Sequence, residues 1–221
     1  MSIAGNIQGL YEGLPAGVKI VAVTKTRTTD EVLELYRAGH RIMGENRVQE
    51  LISKREELPG DIEWHMVGHL QTNKVKYIAP FVGLIHSVDS AKLLNTVNKE
   101  ALKNKRVIDV LLQVHIAREE SKFGFSVEEV RELASNFSPG EYPGIRLRGL
   151  MGMATFTDDS EIVRDEFRYL ALLFREVSEI LGNDGRYFDE LSMGMSGDYH
   201  IAVEEGSTVV RIGSLIFGQR G

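Results

Sequence analysis

Lys25 closes the apolar run Val18-Lys19-Ile20-Val21-Ala22-Val23-Thr24, where a buried strand should open into a loop. Near the other end of the chain, two glycine-rich turns follow two strand-like runs. These are Leu191-Ser192-Met193-Gly194-Met195-Ser196-Gly197-Asp198 and Val209-Val210-Arg211-Ile212-Gly213-Ser214. Glycines expose backbone N–H groups with no Cβ in the way, and the first turn opens a helix whose N-terminal dipole favours an anion. Ser196 and Ser214 add hydroxyl donors. One such turn reads equally as a tight strand-to-helix connection. Two turns on neighbouring late strands, each with a serine, point to a phosphate site.

A lysine at one strand end, facing phosphate loops at others, suits a phosphorylated aldehyde held as a Schiff base. Pyridoxal 5′-phosphate is the first candidate. Most lysines just past a strand are solvated surface charges. Here the run before Lys25 is almost wholly apolar, which places Lys25 at the mouth of the fold. A free amine of this kind has a pKa of about 10.4. Partial desolvation and a neighbouring cation such as Arg211 would lower it and free the nucleophile. Arg211 lies between Val210 and Ile212 in the last strand, where an inward arginine needs a partner. A structural ion pair is one reading. A hydrogen bond to a pyridine nitrogen is the other, and enzymes use either Asp or Arg there. Aspartate keeps that nitrogen protonated and the ring a strong electron sink; arginine does not.

The elements must bring these distant residues together. Short apolar runs at 19–24, 41–44, 64–68, 83–87, 107–116, 147–151, 190–193 and 209–212 read as strands. Amphipathic stretches at 28–38, 47–57, 71–79, 90–102, 126–135, 160–181 and 198–205 read as helices, with one more at about 3–12. Thr29-Asp30-Glu31 places acidic residues in a first turn, while Ala38-Gly39 and Leu181-Gly182 read as glycine stops. Within 160–181, Ile162, Val163, Phe167, Leu170, Phe174, Val177 and Leu181 follow helical spacing. Strands apolar on both faces and separated by helices predict a parallel sheet covered on both sides. Eight of them predict a single α/β domain over 1–221, a (β/α)8 TIM barrel, with an open doubly wound sheet as the alternative. In such a barrel a phosphate site is often built after strands seven and eight, the positions of the two glycine turns.

The chain has 221 residues, 43% hydrophobic and 26% charged, enough apolar material for one core. Its net charge is −6 with the basic residues interspersed, so no nucleic-acid footprint is expected. It has no cysteine, which removes disulfides, thiolate nucleophiles and cysteine zinc sites. No apolar run approaches the ~20 residues of a membrane span, and the N-terminus has no targeting pattern. A cytoplasmic monomer is the expectation. His65 and His69 are four apart but read as strand into loop, so no metal site is expected. Asn46 reads either as a group at the same mouth or as a cap on the next helix. Ser121-Lys122-Phe123-Gly124-Phe125 reads as a lid or a loop edge.

The order of these motifs resembles the pyridoxal phosphate homeostasis proteins, single-domain relatives of the alanine racemase barrel. The resemblance is carried by Ala22-Val23-Thr24-Lys25-Thr26, Gly44-Glu45-Asn46-Arg47-Val48-Gln49-Glu50 and Glu63-Trp64-His65-Met66-Val67-Gly68-His69-Leu70-Gln71-Thr72-Asn73-Lys74. It continues through Ile85-His86-Ser87-Val88-Asp89-Ser90, Glu119-Glu120-Ser121-Lys122-Phe123-Gly124, Arg148-Gly149-Leu150-Met151-Gly152-Met153 and the two glycine turns. It implies pyridoxal 5′-phosphate as cofactor, bound to Lys25 as a Schiff base. It also implies Ser196, Gly213 and Ser214 on the phosphate, Arg211 beside the ring nitrogen, and Asn46 and Met195 near the ring. Thr24 stands where serine is expected and Ser214 where threonine is common. The region before Val18 and the loop between Lys103 and Val107 are short.

Two functions of different class follow. One is a carrier that stores, buffers or delivers the cofactor to recipient apoenzymes, without substantial catalysis. The other is a PLP-dependent amino-acid racemase, which needs acid–base groups on both faces of the substrate α-carbon. Related racemases draw one from a lysine and the other from a tyrosine on a second domain, for which no room is expected after the last strand. Tyr199 is the one obvious substitute. The carrier is the preferred reading. A barrel enzyme acting on a sugar phosphate through Lys25 stands third.

Overall fold

Strands and helices alternate along the chain in the computed structural model, which describes residues 2–117 and 123–219. The strands are β1 (Lys19–Val23), β2 (Ile42–Glu45), β3 (Glu63–Met66), β4 (Leu84–Val88), β5 (Ile108–Gln113), β6 (Ile145–Met151), β7 (Glu190–Met195) and β8 (Val209–Ile212). All pair in parallel in sequence order, and β8 returns to β1, so the sheet is a closed barrel. The (β/α)8 expectation holds and the open-sheet alternative does not.

The helices are α1 (Ile3–Gly13), α2 (Thr29–Arg37), α3 (Val48–Glu57), α4 (Val75–Ile78), α5 (Ala91–Lys103), α6 (Val127–Asn136), α7 (Ser160–Leu181), α8 (Tyr199–Glu204) and α9 (Ser214–Phe217). Side-chain caps start several of them. Thr28 and Ser126 each form a reciprocal capping box with a glutamate three residues on, and Ser90 and Asp159 cap α5 and α7. Gly39 ends α2 at φ 96°, its N–H on the Tyr36 carbonyl while the His40 N–H reaches Leu35. Glycine carries that left-handed turn without a Cβ penalty.

Three expectations change. The stretch 71–79 is a 3₁₀ turn, Thr72–Lys74, followed by the single turn of α4. β5 stops at Gln113, since Phe125 then takes the Gln113 carbonyl and the His115 N–H. The run 209–212 continues directly into α9, too short to show a period in the sequence. The reading of Ser121 and Lys122 as lid or loop edge lies outside the described residues.

The apolar core lies between strands and helices. Val32, Leu35, Leu51, Leu93, Val97, Val130, Phe167 and Val177 from the helices meet Ile20, Met43, Trp64, Ile85, Val110 and Leu150 from the strands. A separate small cluster, Leu84, Leu111 and Met151, fills the barrel interior. The rest of that interior is strongly polar. Its opposite mouth, at the strand starts, is lined by Lys19, Glu63, His65, Asp109, Arg148 and Glu190.

Closure requires backbones to approach closely at Gly149, where an added Cβ would sit 1.8 Å from the Glu190 carbonyl oxygen. Gly149 and Glu190 are register partners of β6 and β7. Gly149→Ala is therefore expected to destabilise the fold by on the order of 2–4 kcal/mol in chemical denaturation. An unchanged denaturation midpoint would show that β6 and β7 separate without cost.

Candidate functional site

At the C-terminal ends of the strands lies a cavity of about 520 Å³. Lys25, Asn46, Met195, Ser196, Arg211, Gly213 and Ser214, the residues singled out in the sequence, all line it. Val23, Arg27, Val67, Met153, Gly197, Gly218 and Gln219 complete the lining. Arg27 was legible in principle, two residues beyond Lys25 in the same loop. Met153 and Gln219 carried no signal of their own.

The turn that presents Lys25 is held from beneath. Thr26 adopts φ 63°, a left-handed conformation worth about 1 kcal/mol or more of strain for a residue with a branched Cβ. Its N–H donates to Glu50 Oε2 at 2.8 Å. Before it, the Thr24 carbonyl accepts from Lys54 Nζ at 2.6 Å, and the Thr24 hydroxyl donates to Glu45 Oε1 at 2.5 Å. Lys54 Nζ also donates to Glu45 Oε1 at 2.6 Å, closing a buried ion pair between α3 and β2. Thr24 thus turns its hydroxyl away from the cavity. Burial pushes the Glu45 carboxyl up, opposed by its bonds from Lys54 and Thr24, and its Oε2 has no hydrogen-bond partner among the described residues. The sequence gives no hint of this clamp, since Lys54 reads as one surface charge among several.

Across the cavity rim, Ser196 Oγ accepts from the Gly213 N–H at 3.2 Å, so the two glycine turns are tied to each other. An added Cβ at Gly197 would meet nothing within 4 Å, and at Gly213 only the Val23 backbone and side chain at ordinary contact distance. Packing does not demand glycine at either position; both border the open cavity. The helix start at Ser214 leaves its first N–H groups without intrahelical acceptors. α8 differs from expectation. It begins at Tyr199, and the Asp198 carboxylate before it accepts from the Met195 N–H at 2.5 Å. A carboxylate already stands at that helix start, so the α8 N-terminus is less suited to an anion than the sequence reading expects.

Arg211 is buried, and burial pushes its pKa down to about 10. Its Nη1 donates to the Ser192 carbonyl and Oγ, and Nη2 to the Gly152 carbonyl. All three acceptors are neutral oxygens, which speaks against the structural ion pair, and none of these bonds uses Nε. Asn46 does not cap α3; the capping position is Arg47, with no side-chain bond. His65 and His69 part company. His65 bonds Glu63 and His86, while His69 bonds Asp89 and packs on Phe123. Tyr199 packs partly buried against the core and touches His200, outside the cavity lining.

The architecture is that of the barrel half of the alanine racemases. The family model described as "Alanine racemase, N-terminal domain" matches residues 1–221. The alanine racemase of Bartonella henselae shares the fold at TM-score 0.73 and 17% identity, over 99% of this chain and 60% of that one. Nearer relatives narrow the class. The chain is 42% identical over 204 residues to the pyridoxal phosphate homeostasis protein of Aquifex aeolicus, covering 91% of this chain and 87% of that protein. It is 40% identical over 211 residues to that of Vibrio alginolyticus, covering 93% and 88%. PipY of Synechococcus elongatus superposes at TM-score 0.92 without PLP, with 33% identity over 98% of this chain and 100% of that one. With PLP bound it superposes at TM-score 0.87 and 32% identity. The chain belongs to the pyridoxal phosphate homeostasis protein family.

Removing one partner of a buried ion pair strands the other, at about 3–5 kcal/mol. Lys54→Met should therefore lower stability by that order in denaturant titrations, and Lys54→Met with Glu45→Leu should recover most of it. A single variant as stable as the parent would show that the pair does not hold the Lys25 turn.

Proposed function

We propose that this chain binds pyridoxal 5′-phosphate as a Schiff base on Lys25 and serves cofactor homeostasis, without substantial catalysis. In this reading it works as a cytoplasmic monomer that stores or buffers the cofactor, or delivers it to recipient apoenzymes. One observation carries it: a relative that matches 98% of this chain binds PLP, and Lys25 is the lysine among the described residues lining the matching mouth.

The residues present fit the group. The Lys25 amine supplies the nitrogen of the C=N bond, and the aldehyde oxygen leaves as water. Ser196, Gly197, Gly213 and Ser214 surround space that a Cβ would otherwise fill, suited to a phosphate held by hydroxyl and N–H donors. Arg211 has Nε left to donate to the ring nitrogen. A guanidinium cannot give up its proton, so it leaves that nitrogen unprotonated and the ring a weak electron sink. That suits holding a cofactor better than labilising a substrate α-proton. Asn46 and Met195 flank the ring.

The cofactor chemistry itself is a visible, reducible imine. Purified protein incubated with PLP should show the imine band, lost in Lys25→Ala. Borohydride followed by peptide mapping should place the pyridoxyl group on Lys25. Label mainly on Lys74, Lys76 or Lys122 would overturn the assignment.

The racemase reading is favoured by the shared fold with alanine racemases alone. Lys25 serves one face of a substrate, but Tyr199, the sequence candidate for the other, packs outside the cavity. With L-alanine in deuterated water the carrier should show negligible α-proton exchange and no D-alanine. Rapid exchange lost in both Lys25→Ala and Tyr199→Phe would restore the enzyme.

A further inference from the structure

A line of polar side chains crosses the barrel interior from one mouth to the other. Glu63 stands at the opposite mouth with its side chain 54% exposed, and its Oε1 lies 3.0 Å from His65 Nε2. His65 Nδ1 lies 3.0 Å from His86 Nε2, and His86 Nδ1 lies 2.9 Å from Ser192 Oγ. Arg211 Nη1 reaches the same Oγ at 2.7 Å. His86 and Ser192 are wholly buried, and His65 nearly so.

The chemistry of each group restricts how protons sit on this line. A guanidinium only donates, so Ser192 Oγ accepts from Arg211. A carboxylate only accepts, and the bond from His65 is the leading cause that holds the Glu63 carboxyl below its usual range. Burial holds His86 neutral, its pKa well below 6.5. When each ring carries a single proton, one arrangement satisfies every contact. His65 Nε2–H donates to Glu63, His86 Nε2–H donates to His65 Nδ1, and the Ser192 hydroxyl donates to His86 Nδ1. Every donor then points away from Arg211 and toward Glu63, and aligned bonds polarise one another in a low dielectric.

We propose that Glu63, His65, His86 and Ser192 form a through-barrel relay that positions the Arg211 guanidinium against the ligand cavity, with the Glu63 carboxylate as its last acceptor at the far mouth. What Arg211 touches in that cavity rests on the PLP reading; the relay itself belongs to the ligand-free chain. A buried cation hydrogen-bonded only to neutral oxygens is costly, even with the Asp198 carboxylate acting on it from a distance. A polarised serine oxygen backed by two imidazoles and a carboxylate offsets part of that cost. It also fixes the guanidinium plane, and with it the direction of Nε–H. The plainer account, two core histidines satisfying each other, demands no dependence of the cavity on Glu63.

Long-range ¹H–¹⁵N spectra of the ligand-free protein at neutral pH give the first test. Both His65 and His86 should carry the proton on Nε2 and accept at Nδ1. PLP titration gives the second. Glu63→Ala should shift the absorbance of the bound cofactor and weaken binding about threefold, and Ser192→Ala about tenfold. The double variant should bind no more weakly than Ser192→Ala alone, because a relay already broken at the top cannot be broken again. An Nδ1–H tautomer at either ring, additive losses, or an unchanged spectrum in Glu63→Ala would overturn the relay. A parent chain that takes up no PLP would overturn the binding reading instead, and the tautomers would still decide the relay.

Discussion

The seam between β1 and β8 is the constraint on which everything else depends. Lys19 pairs with Val209, Val21 with Arg211 and Ala22 with Ile212, so the first and last strands lie side by side. That register sets the Lys25 turn next to the Gly213–Ser214 turn and carries Arg211 into the interior beneath both. Without the seam, the lysine and the two glycine-rich turns would stand at opposite edges of an open sheet. Closure is also favourable in itself. It removes two unpaired strand edges, and parallel strands are stable when both faces are covered.

Apolar and polar surfaces divide the work. The strand-to-helix layer is apolar and supplies the hydrophobic drive, while the barrel interior carries ion pairs and hydrogen-bonded histidines. Buried polar groups cost free energy unless paired, so the interior constrains geometry more than it adds stability. Arg148 shows the pattern at the far mouth, reaching Asp109, Asp189 and Glu190. The Lys54–Glu45 pair repeats it under the Lys25 turn. There the strain at Thr26 is offset by bonds to Glu50 and through Thr24, which explains how a left-handed threonine persists beside Lys25.

The ligand cavity follows from these constraints together. The two glycine turns are tied through Ser196 and Gly213, the Lys25 turn is held from below, and Arg211 is fixed by Ser192 and Gly152. Most of the lining comes from strand ends and the residues just beyond them, held to each other by short bonds. A site built in this way is suited to receiving a rigid, planar, phosphorylated ring with little rearrangement. Met153 and Met195 remain partly exposed at its rim, where an unbranched side chain can adapt to what enters.

The amino-acid sequence alone determined the eight strands, the parallel sheet and most helix boundaries, because those depend on periodicity and on caps a few residues away. Thr28, Ser126 and Gly39 act where they stand. It also singled out Lys25, Ser196, Arg211, Gly213 and Ser214, since a lysine, an arginine and glycine turns at strand ends carry their chemistry in their type; Met195 came only from the family resemblance, and Asn46 stood open between the cavity and a helix cap. Only the tertiary structure decided what those groups bond to. That Thr24 serves Glu45, that Asp198 occupies the start of α8, that Asn46 lines the cavity and caps nothing, and that His65 meets His86 and not His69 are outcomes of strand register and barrel closure. Such pairings join residues far apart in the chain, and no local pattern of side chains encodes which buried donor will find which acceptor.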